Sequence, residues 1–316
     1  MFLGLLILIG LGAVGIHFAA TANARKIQAY EDPYPYEVLS KEPQGDEVFI
    51  EREDGTRIRA VASVDDGAMV VLAHGYGATL ISWNILWDRL VDAGYKVIAF
   101  DLRGHGKSTI GRDGISSASM ASDFKAVLDH FDVRDGVLLS HSTGGFLSCL
   151  FQLTYPETVA ERLIGGVFAA SLLGDVNKGS PQNRLQIPLI KTGLMNRVAR
   201  SDVYGWSFGA SLFGDHPYPA GIKVFTEKFA QQPHKQLIPI LEALAKEEYY
   251  SRLGEITLPT VVVCGREDKT TPPWHSETMG KNIPNARNVW VDGVGHAINW
   301  EAVDVLFEAI ESLSKP

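Results

Sequence analysis

The chain has 316 residues, 46% of them hydrophobic, and its 29 Lys and Arg against 37 Asp and Glu give a net charge of −8. That length buries a full core within one catalytic domain and requires no second one. An acidic balance without a basic run argues against nucleic acid as a partner, Cys149 and Cys264 read as packed thiols, and no His, Cys and Asp cluster has metal-site spacing, so neither metal nor cofactor is expected.

In chain order, the first feature is apolar. From Phe2 to Ala20 there is no Asp, Glu, Lys or Arg, and at about 1.5 Å per helical residue the stretch can just cross a hydrocarbon core of about 30 Å. Residues 1–26 therefore read as a single-pass membrane anchor, with a signal peptide cleaved near Ala22-Asn23-Ala24 as the alternative. The length of the run and the lack of Lys or Arg before it favour the anchor. Arg25 and Lys26 after it place the catalytic domain in the cytoplasm, whereas cleavage would make it secreted or periplasmic. Residues 27–45, which include Asp32-Pro33-Tyr34-Pro35-Tyr36, read as an extended linker.

Strands then alternate with helical patterns. Residues 47–50 and 57–62 form an opening hairpin around Asp54-Gly55, and the apolar runs at 69–73, 96–100, 136–139, 164–170, 259–264 and 289–291 follow as strands. Helical stretches between them, such as 145–155, predict an α/β fold with a mainly parallel sheet and helices on both faces. The core is assigned to residues 46–170 and 258–316. Between them, residues 171–257 far exceed an ordinary crossover and read as a lid, with a helix over 234–253 and a stretch rich in Trp206, Phe208 and Phe213. Those aromatics either pack the lid onto the core or line an acyl-chain pocket; the latter makes them substrate-binding candidates.

Three segments carry the chemistry. Ser140-His141-Ser142-Thr143-Gly144 lies between the strand at 136–139 and the helix at 145–155, the setting of a nucleophile elbow, where a strained turn lifts the central Ser hydroxyl clear of the sheet. Its first position is Ser140 where the G-x-S-x-G pattern has Gly, so an extra hydroxymethyl group must fit between strand and helix. A Ser hydroxyl is a weak nucleophile and needs a base that is itself oriented by an acid. Asp268, on the loop after the strand at 259–264, and His296, in Asp292-Gly293-Val294-Gly295-His296, supply these in the order Ser, Asp, His. Asp175, after the strand at 164–170, is the rival acid. The glycines of His74-Gly75-Tyr76-Gly77 let a backbone N–H turn toward an acyl oxygen, so the Tyr76 and Thr143 amides are the expected oxyanion donors, each contributing about 3–4 kcal/mol. Asp101 is expected to hold the Arg103 turn by a charge-assisted hydrogen bond.

Together with Asp101-Leu102-Arg103-Gly104-His105-Gly106-Lys107-Ser108, these motifs resemble the α/β-hydrolase superfamily over roughly residues 46–314. Within it the chain looks most like the lipase and esterase branch that includes membrane-anchored monoacylglycerol lipases. The resemblance implies an α/β-hydrolase fold, loop-architecture roles for His74 and His105, and a serine hydrolase whose substrate class does not follow from the motifs. Relatives that open epoxides or remove halides carry Asp at the position of Ser142, which argues against both activities here. The expected activity is cleavage of a carboxylic ester, lipid-like or monoacylglycerol-type, by a protein whose partners are that small molecule and a membrane. Carbon–carbon bond or amide hydrolysis, acyl transfer by the same triad, and a catalytically silent receptor or scaffold are the alternatives.

Overall fold

The computed structural model describes residues 2–314, and their side chains from residue 14 onward. Helix α1 (Phe2–Gln28) and the single turn α2 (Tyr36–Leu39) precede the sheet. The hairpin of β1 (Asp46–Glu51) and β2 (Arg57–Ala62) leads to β3 (Met69–Ala73), α3 (Asn84–Asp92), β4 (Lys96–Phe100), α4 (Ser117–His130) and β5 (Gly136–His141). Helices α5 (Thr143–Thr154) and α6 (Pro156–Arg162) then connect to β6 (Leu163–Ala169). The chain next leaves the sheet for a cap made of α7 (Gln186–Lys191), α8 (Leu194–Ala199), α9 (Tyr204–Ala210), α10 (Pro219–Gln231) and α11 (Ile238–Lys246). It returns as β7 (Thr260–Gly265), α12 (Trp274–Asn282), β8 (Ala286–Val291), α13 (Ile298–Glu301) and α14 (Val303–Ser314).

The eight strands run in the order β1-β2-β4-β3-β5-β6-β7-β8. Only the β1–β2 and β2–β4 pairings are antiparallel. A parallel sheet needs helical crossovers and is covered on both faces, which is why its strands are apolar runs rather than alternating ones. Every residue of β5 and β7 is buried. Successive side chains nevertheless serve opposite faces. Val71, Ile98, Leu138 and Val262 pack with Phe124 of α4 and Phe146 and Phe151 of α5, while Val70, Leu72, Val97, Leu139 and Val263 pack with Trp87 of α3 and Leu306 of α14. Cys149 and Cys264 are buried free thiols, and burial pushes the latter up to about 12.

The order of strands locates the site. From β3 the chain crosses through α3 to β4 on one side, and from β5 it crosses through α5 to β6 on the other. Open α/β sheets bind ligands in the crevice at the carboxyl ends of strands where connections diverge in this way. The loops after β3 and β5 are those that carry His74-Gly75-Tyr76-Gly77 and Ser142.

Several local expectations need correction. Among the described residues no helix is long and apolar enough to cross a membrane; the stretch assigned to an anchor lies, through residue 13, outside the described side chains. Further along α1, Ala24 and Ile27 are buried and the Asn23 amide donates to Ser207 Oγ of α9 at 2.9 Å, so the helix ends docked on the cap. Residues 29–45 do not stand off as an extended tether. Leu39 is fully buried, Tyr36 donates to Glu227 at 2.6 Å, and Asp32 accepts the Ala220 N–H at 2.8 Å, which straps this segment to α10. The single helix expected over 234–253 is divided. Pro239 sits in the first turn of α11, where its missing N–H is harmless, and Glu247 adopts an extended backbone before a 3₁₀ turn over Tyr250–Glu255.

Asp101 also does a different job from the one expected. Its carboxylate accepts the Leu80 and Lys107 N–H groups at 2.9 and 3.0 Å and faces the buried Arg59. Arg103 turns away to Asp123 on α4 and to Asp54, at 2.9 and 2.6 Å. Gly106 makes this possible: its φ is +54°, and a Cβ there would lie 2.2 Å from Asp101 Oδ2.

Candidate active site

Ser142 is the N-cap of α5 and holds φ 54° and ψ −121°, a conformation that a residue with a Cβ adopts only under constraint. The constraint is close packing on both sides of the turn. A Cβ on Gly144 would lie 2.5 Å from His74 O, and one on Gly145 would lie 2.2 Å from Ser171 Oγ. Ser140 fits where the pattern has Gly because its hydroxyl meets Ser148 Oγ on α5 at 2.8 Å. A hydrogen bond thus occupies the space that a smaller residue would leave.

The three distant side chains meet. His296 Nε2 is 3.0 Å from Ser142 Oγ, and its Nδ1 is 2.8 Å from Asp268 Oδ2. All three residues are buried. With an ionised carboxylate against Nδ1, that nitrogen carries the proton, which leaves Nε2 free to accept the serine proton. Burial alone would raise the Asp268 carboxyl, but His296 and the Thr271 hydrogen bonds outweigh it and hold the group below the ordinary carboxylate range. Asp268 Oδ1 accepts the backbone N–H groups of Thr270 and Thr271, both at 2.8 Å, and Thr271 Oγ1 lies 2.7 Å from Oδ2. Asp175, the rival acid, is exposed with φ 53° and reaches none of these atoms.

His141 is a neighbour of the triad. Its Nε2–H donates to the His296 carbonyl at 2.9 Å, and its ring stands edge-on to Trp83. Burial, reinforced by the nearby His296, lowers it to about 3, so it is a neutral strut. His105 is likewise lowered to about 3 by burial, and His74 donates from Nδ1 to the Gly75 carbonyl while its Nε2 accepts the Leu102 N–H at 3.0 Å. Both are loop architecture rather than chemistry.

The loop after β3 lies against the nucleophile. A Cβ on Gly75 would lie 2.8 Å from Ser142 Cβ. Among the described residues neither the Tyr76 nor the Thr143 amide has a hydrogen-bond partner. Unbonded N–H groups are what a developing oxyanion would need, and Thr143 directly follows Ser142. The Tyr76 phenol reaches the cap, where it donates to His234 Nδ1 at 2.8 Å, and His234 Nε2–H donates in turn to the Phe229 carbonyl at 2.7 Å.

Above Ser142 and His296 opens a cavity of about 310 Å³. Phe208, Phe213, Phe225, Phe229, Leu241 and Leu244 line it, all contributed by the cap. Phe208 and Phe213 are therefore where a substrate-binding role requires them. Trp206 is not: it faces away on α9 and packs against the core cluster that includes Ile27. On a helix, residues two apart point to different sides, which separates Trp206 from Phe208.

Sequence reasoning missed Thr271, His141, His234 and Glu301. Only Thr271 had a local signal, since an Asp followed by residues that turn their N–H groups back onto its carboxylate is a common loop pattern. His141 acts through the His296 carbonyl and Trp83, both outside the cap, whereas His234 meets Tyr76, and Glu301 the Gly214 N–H, only once the cap is in place.

The comparisons with known proteins bear on the fold and the family. A family model described as the alpha/beta hydrolase family matches residues 70–309. A 2-hydroxy-6-oxononadienedioate/2-hydroxy-6-oxononatrienedioate hydrolase from Cupriavidus pinatubonensis is 29% identical over 276 residues, which are 80% of this chain and 90% of that one. An esterase from Exiguobacterium antarcticum superposes with a TM-score of 0.73 at 24% identity, over 86% of this chain and 100% of that one. A bromoperoxidase from Bacillus anthracis superposes at 0.75 with 20% identity and the same coverage. At such identities the solved structures speak for the fold alone. With most of its length matched by the family model and an eight-stranded sheet in the corresponding architecture, the chain belongs to the alpha/beta hydrolase family.

Proposed function

We propose that the protein is a serine hydrolase that cleaves carboxylic esters of uncharged, apolar acyl groups through an acyl-enzyme on Ser142. The observation that carries this reading is the cavity wall: Lys228 is the only Lys, Arg, Asp or Glu among its lining residues. An acyl chain entering such a wall exchanges water for side chains of like character, at about 25 cal/mol per Å² of apolar surface buried, whereas an anion would lose its hydration with little in return. Ser142 Oγ attacks the acyl carbon while His296 Nε2 takes its proton. The Tyr76 and Thr143 amides hold the oxyanion, His296 returns the proton to the leaving alcohol, and Asp268 stabilises the imidazolium throughout. Water then repeats the sequence on the acyl-enzyme.

A second reading, carbon–carbon bond hydrolysis by the same triad, is favoured by the relative from Cupriavidus pinatubonensis. The substrate in that protein's name bears a carboxylate at each end and no ester. Two carboxylates call for cationic partners, and Lys228 is a single one. A panel of 4-nitrophenyl esters from acetate to decanoate, run beside 4-nitrophenyl hydrogen succinate and a 2-hydroxy-6-oxodienedioate, separates the readings. The apolar-ester reading expects kcat/KM to rise with chain length by about tenfold or more, with the anionic substrates poor. Faster turnover of the dienedioate than of any ester would overturn it.

The amino-terminal helix supports placing this pocket at a lipid surface. Residues 2–20 carry no Asp, Glu, Lys or Arg, and Val14, Ile16 and Phe18 are exposed, while the end of the same helix docks on α9, whose Phe208 lines the cavity. Deleting residues 2–18, which include the exposed Val14, Ile16 and Phe18, spares the buried Ala24 and Ile27, so short-ester turnover should be unchanged. Co-sedimentation with phosphatidylcholine vesicles should be lost. Undiminished vesicle binding by the shortened chain would remove the lipid surface from this account.

A further inference from the structure

We propose that Glu301 is a positioning residue that locks the cap to the loop bearing His296, so that the acyl pocket and the catalytic imidazole move as one unit. This rests on the serine-hydrolase reading and extends it to a side chain that the reaction itself does not touch. Glu301 ends α13, just after the histidine loop. Its Oε1 accepts the Gly214 N–H of the cap at 2.8 Å, and its Oε2 accepts the Gly295 N–H, adjacent to His296, at 3.0 Å. One carboxylate therefore joins two segments that are far apart in sequence.

The two segments are also joined directly. Ala297 N–H donates to the Leu212 carbonyl at 2.8 Å, and Asp215 N–H donates to the Gly293 carbonyl at 2.9 Å. They touch backbone to backbone: a Cβ on Gly214 would lie 2.0 Å from Gly293 O, and one on Gly295 would lie 2.4 Å from the Phe213 carbonyl carbon. Leu212 and Phe213, in the middle of this junction, line the cavity. A chain that presses on Phe213 thus presses on the support of His296.

The carboxylate is the group this junction needs in chemical terms. Two backbone donors approach its two oxygens, and only the ionised form accepts at both; an amide or a neutral acid must present a donor to one of them. Burial, opposed by those two N–H bonds and reinforced by the nearby Asp268 and Asp215 charges, raises Glu301 to about 7. The Tyr218 phenol also faces it. As pH falls through neutrality, Glu301 gains a proton and one junction bond is lost. A carboxyl whose folded-state value lies above its unfolded one favours folding when protonated, so its contribution to stability grows, rather than falls, over the same interval. Loss of activity without loss of stability is therefore the signature of positioning.

The test measures the second-order rate of fluorophosphonate labelling against pH for the full chain and for Glu301→Gln, with ester kcat and KM and melting temperatures alongside. In the wild type, the acid limb should be steeper than a single ionisation, because protonation of Glu301 adds to the ionisation that the reaction itself carries. Glu301→Gln should label and turn over up to about 10²-fold more slowly at alkaline pH, with KM changed less than about twofold, and its acid limb should relax to a single ionisation. A bond that serves stability alone would lower the melting temperature and leave the rate per folded molecule and its pH limb unchanged; that result would overturn the proposal. If Glu301→Gln does not fold, a wild-type limb no steeper than one ionisation overturns it equally. A wild type that never labels would instead overturn the serine-hydrolase reading on which the proposal stands.

Discussion

Ser142→Ala is expected to retain the wild-type melting temperature and to lose about 10⁴–10⁶ in kcat on its best ester, because members of a triad act as a unit and the loss of one is nearly the loss of all. The strained backbone at Ser142 accepts Ala as readily as Ser, since both carry one Cβ, so the fold should not notice the change. Residual turnover well above the uncatalysed rate will persist, because the oxyanion amides and the cavity remain. Ester turnover within about tenfold of wild type in this variant, at full folding, would mean that Ser142 is not the nucleophile.

The second large effect is expected at Asp268. Asp268→Asn should cost about 10⁴ in kcat, because an amide at that position stabilises the imidazole tautomer with its proton on Nε2, where it cannot accept from Ser142. Asp175→Asn should change kcat less than about twofold, since Asp175 is exposed and Asn tolerates its left-handed backbone. The measurement is kcat for the two variants on one ester at one pH above the acid limb. A milder effect at Asp268 than at Asp175 would transfer the acid role to the latter.

Much of the fold was legible because the parallel strands are short apolar runs between turn residues. The run at residues 69–73 coincides with β3, and that at 96–100 with β4. The three residues of the candidate triad were legible for a related reason. Each member sits on the loop that follows a strand, so finding the strand's end finds the residue. What was not legible depends on contacts between elements that sequence order does not reveal. Arg59 lies on β2 and reaches Asp101 only because β2 and β4 are neighbours, so an argument from the local turn gave Arg103 instead. The cap's helices are short and punctuated by proline, so periodicity merged α11 with the 3₁₀ turn after it. Whether Trp206 or Phe208 faces the cavity is settled by how α9 lies on its neighbours, and the spacing of the two residues could say only that they face different ways. Glu301 shows the limit most clearly. An acidic residue at the end of a one-turn helix has no signature, and its importance arises from two glycine amides that the cap and the histidine loop bring to it.

The central claim is that Ser142 is a nucleophile beneath an apolar acyl pocket, and one measurement addresses both halves of it. A series of fluorophosphonates with alkyl groups from ethyl to octyl would be reacted with the full chain, the adduct located by peptide mass spectrometry, and the second-order rate followed along the series. The account predicts a single adduct on Ser142 and a rate that climbs with alkyl length as the chain enters the cavity lined by Phe208, Phe213 and Phe229. An adduct on any other residue, or a rate indifferent to alkyl length, would contradict it.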